Sequence, residues 1–196
     1  MKTNYQLETD KVIEALGETR PRLLLHSCCG PCSSYVLEYL TRYFAVTLLY
    51  YNPNIQPEAE YEKRLQTQRE LLKHIPAEIL ECPYDGAAFA AAARGLESEP
   101  EGGARCTRCF ALRLEETAKR AAEHGFDWYC TTLTVSPHKD QERINRLGAE
   151  IGERYNVQWL PSDFKKRDGY LRSIRLAEKY GLYRQDWCGC AFSRNG

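Results

Sequence analysis

Apolar residues fall along this chain in short unbroken runs, separated by longer stretches where they recur every three or four positions. The runs are RLLLHS (22–27), AVTLLYYN (45–52), AEILECPY (77–84), DWYCTTLT (127–134) and VQWLP (157–161). Each is short, rich in branched or aromatic residues, and reads as a strand covered on both faces. The stretches between them carry helical spacing. Residues 8–19 predict a leading helix, and 33–43 place Val36, Leu37, Leu40 and Tyr43 on one face. Further helices are predicted over 58–74, 86–96, 107–124, 139–155 and 168–180. Within 107–124, Phe110, Leu114, Ala118 and Ala121 share a face, and 97–105, with adjacent glycines, reads as a loop.

This alternation predicts a doubly wound α/β fold with a mostly parallel sheet, Rossmann-like, as one domain over 1–196. A C-terminal helix and a docked cysteine-containing tail complete it. Such sheets bind ligands beyond the carboxyl ends of their strands. The residues that follow the runs are therefore the chemical candidates: Cys28 onward, Tyr51-Asn52-Pro53-Asn54, Thr131-Thr132 and Ser136-Pro137-His138. They should converge on one edge of the sheet.

Sulfur changes the picture most. Seven of nine cysteines form three tight groups: Cys28-Cys29-Gly-Pro-Cys32, Cys106-Thr-Arg-Cys109 and Cys188-Gly-Cys190. Four thiolates fill one iron–sulfur cluster or one closed zinc site, and three are left over. The remainder points to a second metal or a redox thiol pair, and the chain reads as a metalloenzyme. Cys106 and Cys109, at i, i+3, put both sulfurs on one side of a helix's first turn, where the dipole favours thiolate. Cys29 to Cys32 spell CGPC at a strand-to-helix turn, the local shape of a thioredoxin site; Pro31 sits where that helix starts. The extra Cys28 and the pairs elsewhere count against a simple thioredoxin. Cys188 and Cys190, between Trp187 and Phe192, suit a docked tail that cycles as a dithiol or chelates a metal. Cys82 and Cys130, each alone in a strand, read as packing residues.

Charge and targeting bound the rest. The 27 basic and 27 acidic residues balance, so a nucleic-acid partner would need a local basic patch. No apolar run approaches a membrane span, and the polar N-terminus lacks a signal-peptide stretch. A cytoplasmic protein with reduced thiols is expected. Neither GxGxxG nor a P-loop is present, which argues against ATP or a dinucleotide as cofactor. Lys165-Lys166-Arg167, with Arg172 and Arg175 beyond, is the dense basic stretch, and with Tyr170 it suits phosphate and base contact. The alternative is a solvated helix lead-in, with RNA held elsewhere by Arg64 and Arg113. His26 reads as a core histidine, while His74 and His124 suit helix ends. His138 has the better position at a strand end.

Together LLLHSCCGPC, YNPNIQPEAEYEKR, EGGARCTRCFALRLEETA, TTLTVSPHKD, DFKKRDGY and LYRQDWCGCAFS resemble the QueH-type epoxyqueuosine reductases, from about Leu23 to Ser193. His138 and Asp140 depart from the Tyr and Asn expected there. The resemblance implies a nucleotide alpha-hydrolase-like fold and two-electron reduction of the epoxide of epoxyqueuosine, at the tRNA wobble position, to queuosine. It implies a 4Fe-4S cluster and a nearby iron or zinc ion or redox-active Cys188–Cys190 pair. Its partners would be tRNA carrying epoxyqueuosine and an unidentified electron donor, with no membrane. Carried over, the cluster cysteines fall on Cys28, Cys29, Cys106 and Cys109; Cys188, Cys190 and Cys32 then supply the second, catalytic element. A cluster on Cys106, Cys109, Cys188 and Cys190, leaving Cys28, Cys29 and Cys32 for a second metal, uses the same residues equally well. Candidate substrate contacts are Tyr51, Asn52, Asn54, Tyr61, Arg64, Arg113, Thr131, Thr132 and His138. Two other readings compete: a thioredoxin-like dithiol oxidoreductase on Cys29 and Cys32, and a non-enzymatic zinc-stabilised RNA-binding module.

Overall fold

Each of the five apolar runs forms a strand in the computed structural model, which describes residues 3–193. They are β1 (Arg22–His26), β2 (Ala45–Tyr50), β3 (Glu78–Glu81), β4 (Trp128–Thr131) and β5 (Gln158–Trp159). Seven helices connect and flank them among the described residues: α1 (Tyr5–Leu16), α2 (Gly30–Leu40), α3 (Glu58–His74), α4 (Gly86–Ala93), α5 (Ala104–Glu123), α6 (Gln141–Tyr155) and α7 (Gly169–Lys179). The sheet is parallel throughout, in the order β3-β2-β1-β4-β5. Leu23, Leu24 and Leu25 of β1 are fully buried, as a central strand covered on both faces requires.

The chain leaves β1 outward to β2 and β3, then returns across β1 to β4 and β5. The strand order therefore reverses between β1 and β4, which opens a crevice at their carboxyl ends. The helices fall into two packed sets. In one, α2 lies against α3 and α7; in the other, α5 lies against α4, α6, β1 and β4. That is the doubly wound arrangement expected. Among the described residues no helix is long and apolar enough to cross a membrane.

Of the boundaries that differ from the sequence reading, three bear on the site. Helix α2 starts at Gly30, one residue before the Pro31 that marks its start in the sequence, because Cys29 is extended and its Sγ accepts from the Cys32 N–H at 3.3 Å. A sulfur thus caps the helix. Gly30 suits this start, since a Cβ there would lie 2.9 Å from the Thr67 methyl on α3. Helix α5 begins at Ala104, so it contains both Cys106 and Cys109. The run 127–134 stays extended only to Thr131. Its hydroxyl accepts from the Leu133 N–H at 3.2 Å and turns Thr132–Val135 into a 3-10 helix.

Candidate metal and redox site

The carboxyl ends of β1, β2 and β4 are tied together by fully buried polar groups. His26 contacts Thr131 Oγ1 at 2.8 Å through Nδ1 and the Tyr51 carbonyl at 3.0 Å through Nε2. Burial, followed by the charge of Arg113, pushes its pKa down to about 4, so the ring is neutral at pH 7. Asn52 donates to the Ser27 carbonyl at 2.8 Å, and the Cys28 N–H donates to Thr132 Oγ1 at 3.0 Å. These bonds fix the start of the first cysteine turn at the strand-order reversal. His26 is a core histidine, as its place in an apolar run indicates.

On this base Cys28, Cys29 and Cys32 bring their sulfurs within 4.8 Å of one another. All nine cysteines are free thiols. The S–H groups of Cys29 and Cys32 hold the Cys28 pKa well below the usual thiol range. The cost appears on its neighbours: Cys29 is pushed up to about 12 and Cys32 is raised, each primarily by Cys28. The three sulfurs thus compete for one negative charge, with Cys28 favoured to carry it. A thioredoxin-like nucleophile needs a depressed pKa at the first CGPC cysteine, and here that thiol is buried and raised.

The other four thiols gather from two distant segments. Cys109 and Cys190 belong to one small apolar cluster with Phe89, Ala93 and Phe192, and burial pushes the Cys109 pKa up to about 11. Cys106 Sγ accepts from the Gly102 N–H at 3.2 Å. Cys188 is held well below the usual range, first by the Cys190 S–H and then, against burial, by the Lys139 and Arg113 charges; Cys190 is raised in turn. The tail is docked on both sides, as Trp187 and Phe192 suggest. Arg64 stands 5.1 Å from the Trp187 ring centre, and Phe192 packs between Phe89 and the Arg105 guanidinium.

Two cations face these sulfurs. Arg113 is 2% exposed; its Nε donates to the Cys109 carbonyl and its Nη1 to Asn52 Oδ1, both at 3.4 Å. Its Nη2 has no hydrogen-bond partner, and among the described residues it makes no ion pair. Burial opposes its charge, yet the sulfurs of Cys109, Cys188, Cys28 and Cys106 raise its pKa. Half-buried Lys139 behaves alike: burial opposes the charge, and Cys188, Cys28 and Cys32 outweigh it. A buried cation without a carboxylate is costly unless thiolates balance it. The donor set suits a thiophilic metal, with countercharge already in place.

The remaining candidates divide. Thr131, Thr132 and Asn52 frame the site. Tyr51 reaches it through its carbonyl. Asn54 is 1% exposed, with both side-chain amide atoms unpartnered. Tyr61 instead packs in a separate aromatic core with Tyr50 and Tyr84, and its hydroxyl donates to the Cys82 carbonyl at 2.7 Å. Arg64 is buried against the tail backbone. His138 is exposed, and its backbone N–H donates to Ser136 Oγ; the neighbouring Lys139, which sequence reasoning passed over, is the residue of that turn that faces the thiols. Three charges of the basic stretch are paired: Lys165 with Asp163, Arg167 with Asp10 and Arg172 with Glu38. Cys82 and Cys130 are buried in the main core, as expected. A groove of about 1280 Å³ runs along β5 beside Tyr5, Arg143 and Trp159, and none of the grouped cysteines lines it.

A family model described as Epoxyqueuosine reductase QueH matches residues 23–196. The Epoxyqueuosine reductase QueH of Staphylococcus epidermidis is 44% identical over 203 residues, covering 98% of this chain and 85% of that protein. Its counterpart in Streptococcus pyogenes is 40% identical over 205 residues, covering 98% and 80%. Among solved structures, the U34-tRNA thiolase NcsA from Methanococcus maripaludis with its 4Fe-4S cluster superposes with a TM-score of 0.56 at 12% identity. It covers 95% of this chain and 67% of that one, and shows a shared fold.

Proposed function

The chain belongs to the QueH family and is an epoxyqueuosine reductase, and from that premise we propose how its thiols divide and what they act on. The observation that carries the reading is that Arg113 and Lys139, which make no ion pair among the described residues, are both raised by thiols from separate cysteine groups, with Cys28, Cys29 and Cys32 already gathered at the strand-order reversal. Four thiolates around one ion at about 2.3 Å stand about 3.8 Å apart. The Cys28–Cys29–Cys32 triad, with two sulfurs at 3.9 Å and all within 4.8 Å, suits a single iron or zinc ion. Cys106, Cys109, Cys188 and Cys190 then remain for a 4Fe-4S cluster. This spacing favours the second division of the cysteines over the one carried across from the family, which put Cys28 and Cys29 on the cluster.

Reduction of the epoxide to the alkene takes two electrons and two protons, breaks both C–O bonds, forms C=C and releases water. Cys106, Cys109, Cys188 and Cys190 would hold a cluster able to supply electrons singly, and Cys28, Cys29 and Cys32 an ion able to act as a Lewis acid toward the epoxide oxygen. The electrons enter from an external donor. Lys139, which makes no ion pair among the described residues, supplies one of the two protons from Nζ, and solvent supplies the other. Arg113 balances thiolate charge, and Asn54 offers the substrate an unpaired donor and acceptor. The base sits on tRNA and leaves the anticodon stack to reach the crevice. The raised, buried Cys29 and the seven-thiol set weigh against the dithiol oxidoreductase, and family membership against the non-enzymatic module.

The test is single-turnover reduction of epoxyqueuosine-bearing tRNA by the anaerobically reconstituted protein. Queuosine should form with the wild type, and Cys188→Ala should lower the rate by about 10³-fold or more. Equal turnover by Cys188→Ala would remove the tail from the chemistry.

A further inference from the structure

Arg64 stands apart from the other candidate substrate contacts. It is 2% exposed, and besides Glu60 its partners lie in the chain's last ten described residues. Nε donates to Glu60 Oε1 at 2.7 Å, one helical turn earlier on α3, which fixes the plane of the guanidinium. Nη1 then donates to the Cys188 carbonyl at 3.1 Å and Nη2 to the Trp187 carbonyl at 3.5 Å. The Trp187 ring lies beside the same group. Two further ties run parallel to it: the Gln56 N–H donates to the Gly189 carbonyl at 2.8 Å, and Tyr183 donates to Glu60 Oε1 at 3.1 Å. Gly189 allows this closeness. Its φ is +110°, and a Cβ would stand 3.0 Å from Arg64 Nη1 and from Ile55.

We infer that Arg64 is a positioning residue: with Glu60 it clasps successive carbonyls of the Trp187–Gly189 segment and so presents Cys188 and Cys190 to the thiols of α5. The segment has no regular structure before Ala191, so its shape depends on such side-chain and single backbone ties, the Gln56 bond, the Tyr183–Glu60 bond and the Phe192 cluster among them. A planar fork donating to two consecutive carbonyls is a task for arginine, and a lysine ammonium reproduces only part of it. The inference rests on the tail belonging to the thiol site, and its test separates the two.

The test compares wild type, Arg64→Met, Arg64→Lys and Glu60→Gln as full-length proteins. Each is alkylated under argon, both metal-free and reconstituted with iron and sulfide, and labelling at each cysteine is followed by mass spectrometry. Arg64→Met should speed alkylation of Cys188 and Cys190 by about tenfold or more, the scale of one lost charged hydrogen bond. Cys28, Cys29, Cys32 and the melting temperature should stay near wild type, with Arg64→Lys and Glu60→Gln intermediate. If Arg64→Met does not fold, Glu60→Gln carries the comparison through the same selective rise. Unchanged Cys188 and Cys190 rates, or equal acceleration at all seven sites, would overturn the clasp. Selective tail release with wild-type reductase activity would keep the clasp and remove the tail from catalysis.

Discussion

The first cysteine turn and the cysteine tail each present thiols to the same crevice, but they are built in opposite ways. The turn is part of the sheet. Cys28 stands two residues beyond the end of β1, Cys29 caps α2, and His26, Asn52 and Thr132 brace the turn through buried bonds. The tail has no regular structure until Ala191 and takes its shape from side chains elsewhere, Arg64 before the thiols and Phe192 after them. Local stability follows such differences: segments with few backbone ties open first. A site made of one rigid and one clasped half can keep the turn preformed while the tail seats or releases. Metal occupancy should therefore be more readily lost on the tail side.

The largest break in this contrast should come from the residue that serves both halves. Arg113 touches α5 through Cys109 and the strand ends through Asn52. Replacing it by methionine leaves buried thiolates without countercharge, and should cost the reconstituted protein about 3–5 kcal/mol. Anaerobic denaturant titration with and without iron measures it. A variant as stable as wild type would mean that the sulfurs are not its counter-ions.

The turn should respond to acid through His26. The folded His26 pKa is about 4, against 6.5 for the free ring, so the unfolded chain binds the extra proton between those values. Stability is then complete above pH 6.5 and lost as pH falls toward 4, by about 3 kcal/mol at 1.36 kcal/mol per unit. His26→Gln should flatten that part of the profile in metal-free protein. An identical slope in variant and wild type would show that the ring is not held neutral.

The smallest effect should come from outside both halves. Lys166 is exposed and, unlike Lys165 and Arg167 beside it, has no ion-pair partner among the described residues. Lys166→Ala should weaken tRNA binding a few-fold and reduce the salt slope by about 1, whereas Arg167→Ala should change neither. Equal loss from both would restore the whole run to the binding surface.

Much of this is legible in the chain itself. Unbroken apolar runs mark strands whatever surrounds them, and three short cysteine spacings mark candidate ligands without any fold. Pro31 marks the start of α2 to within one residue, but the cap at Cys29 is harder, because a sulfur resembles none of the usual Ser, Thr, Asp or Asn signals. What escapes sequence reading depends on distant partners. Arg64 meets a carbonyl 124 residues away, and the basic stretch is partly cancelled by Asp10 and Glu38, 157 and 134 residues away. Lys139 was hidden by the histidine before it, a more familiar chemical group. The division of thiols depends on spacing in three dimensions, which no spacing along the chain reports.

That division is the central claim, and metal and sulfide counts on two variants test it directly. Wild type, Cys32→Ser and Cys190→Ser are reconstituted anaerobically, and iron, zinc, acid-labile sulfide and the Mössbauer spectrum are read for each. Wild type should hold about four sulfides with their irons and one further ion. Cys32→Ser should keep the sulfides and lose the single ion, while Cys190→Ser should lose the cluster signal and keep an ion on the Cys28 turn. The reverse pattern, sulfide lost with a cysteine of the Cys28 turn and kept without Cys190, would contradict the account.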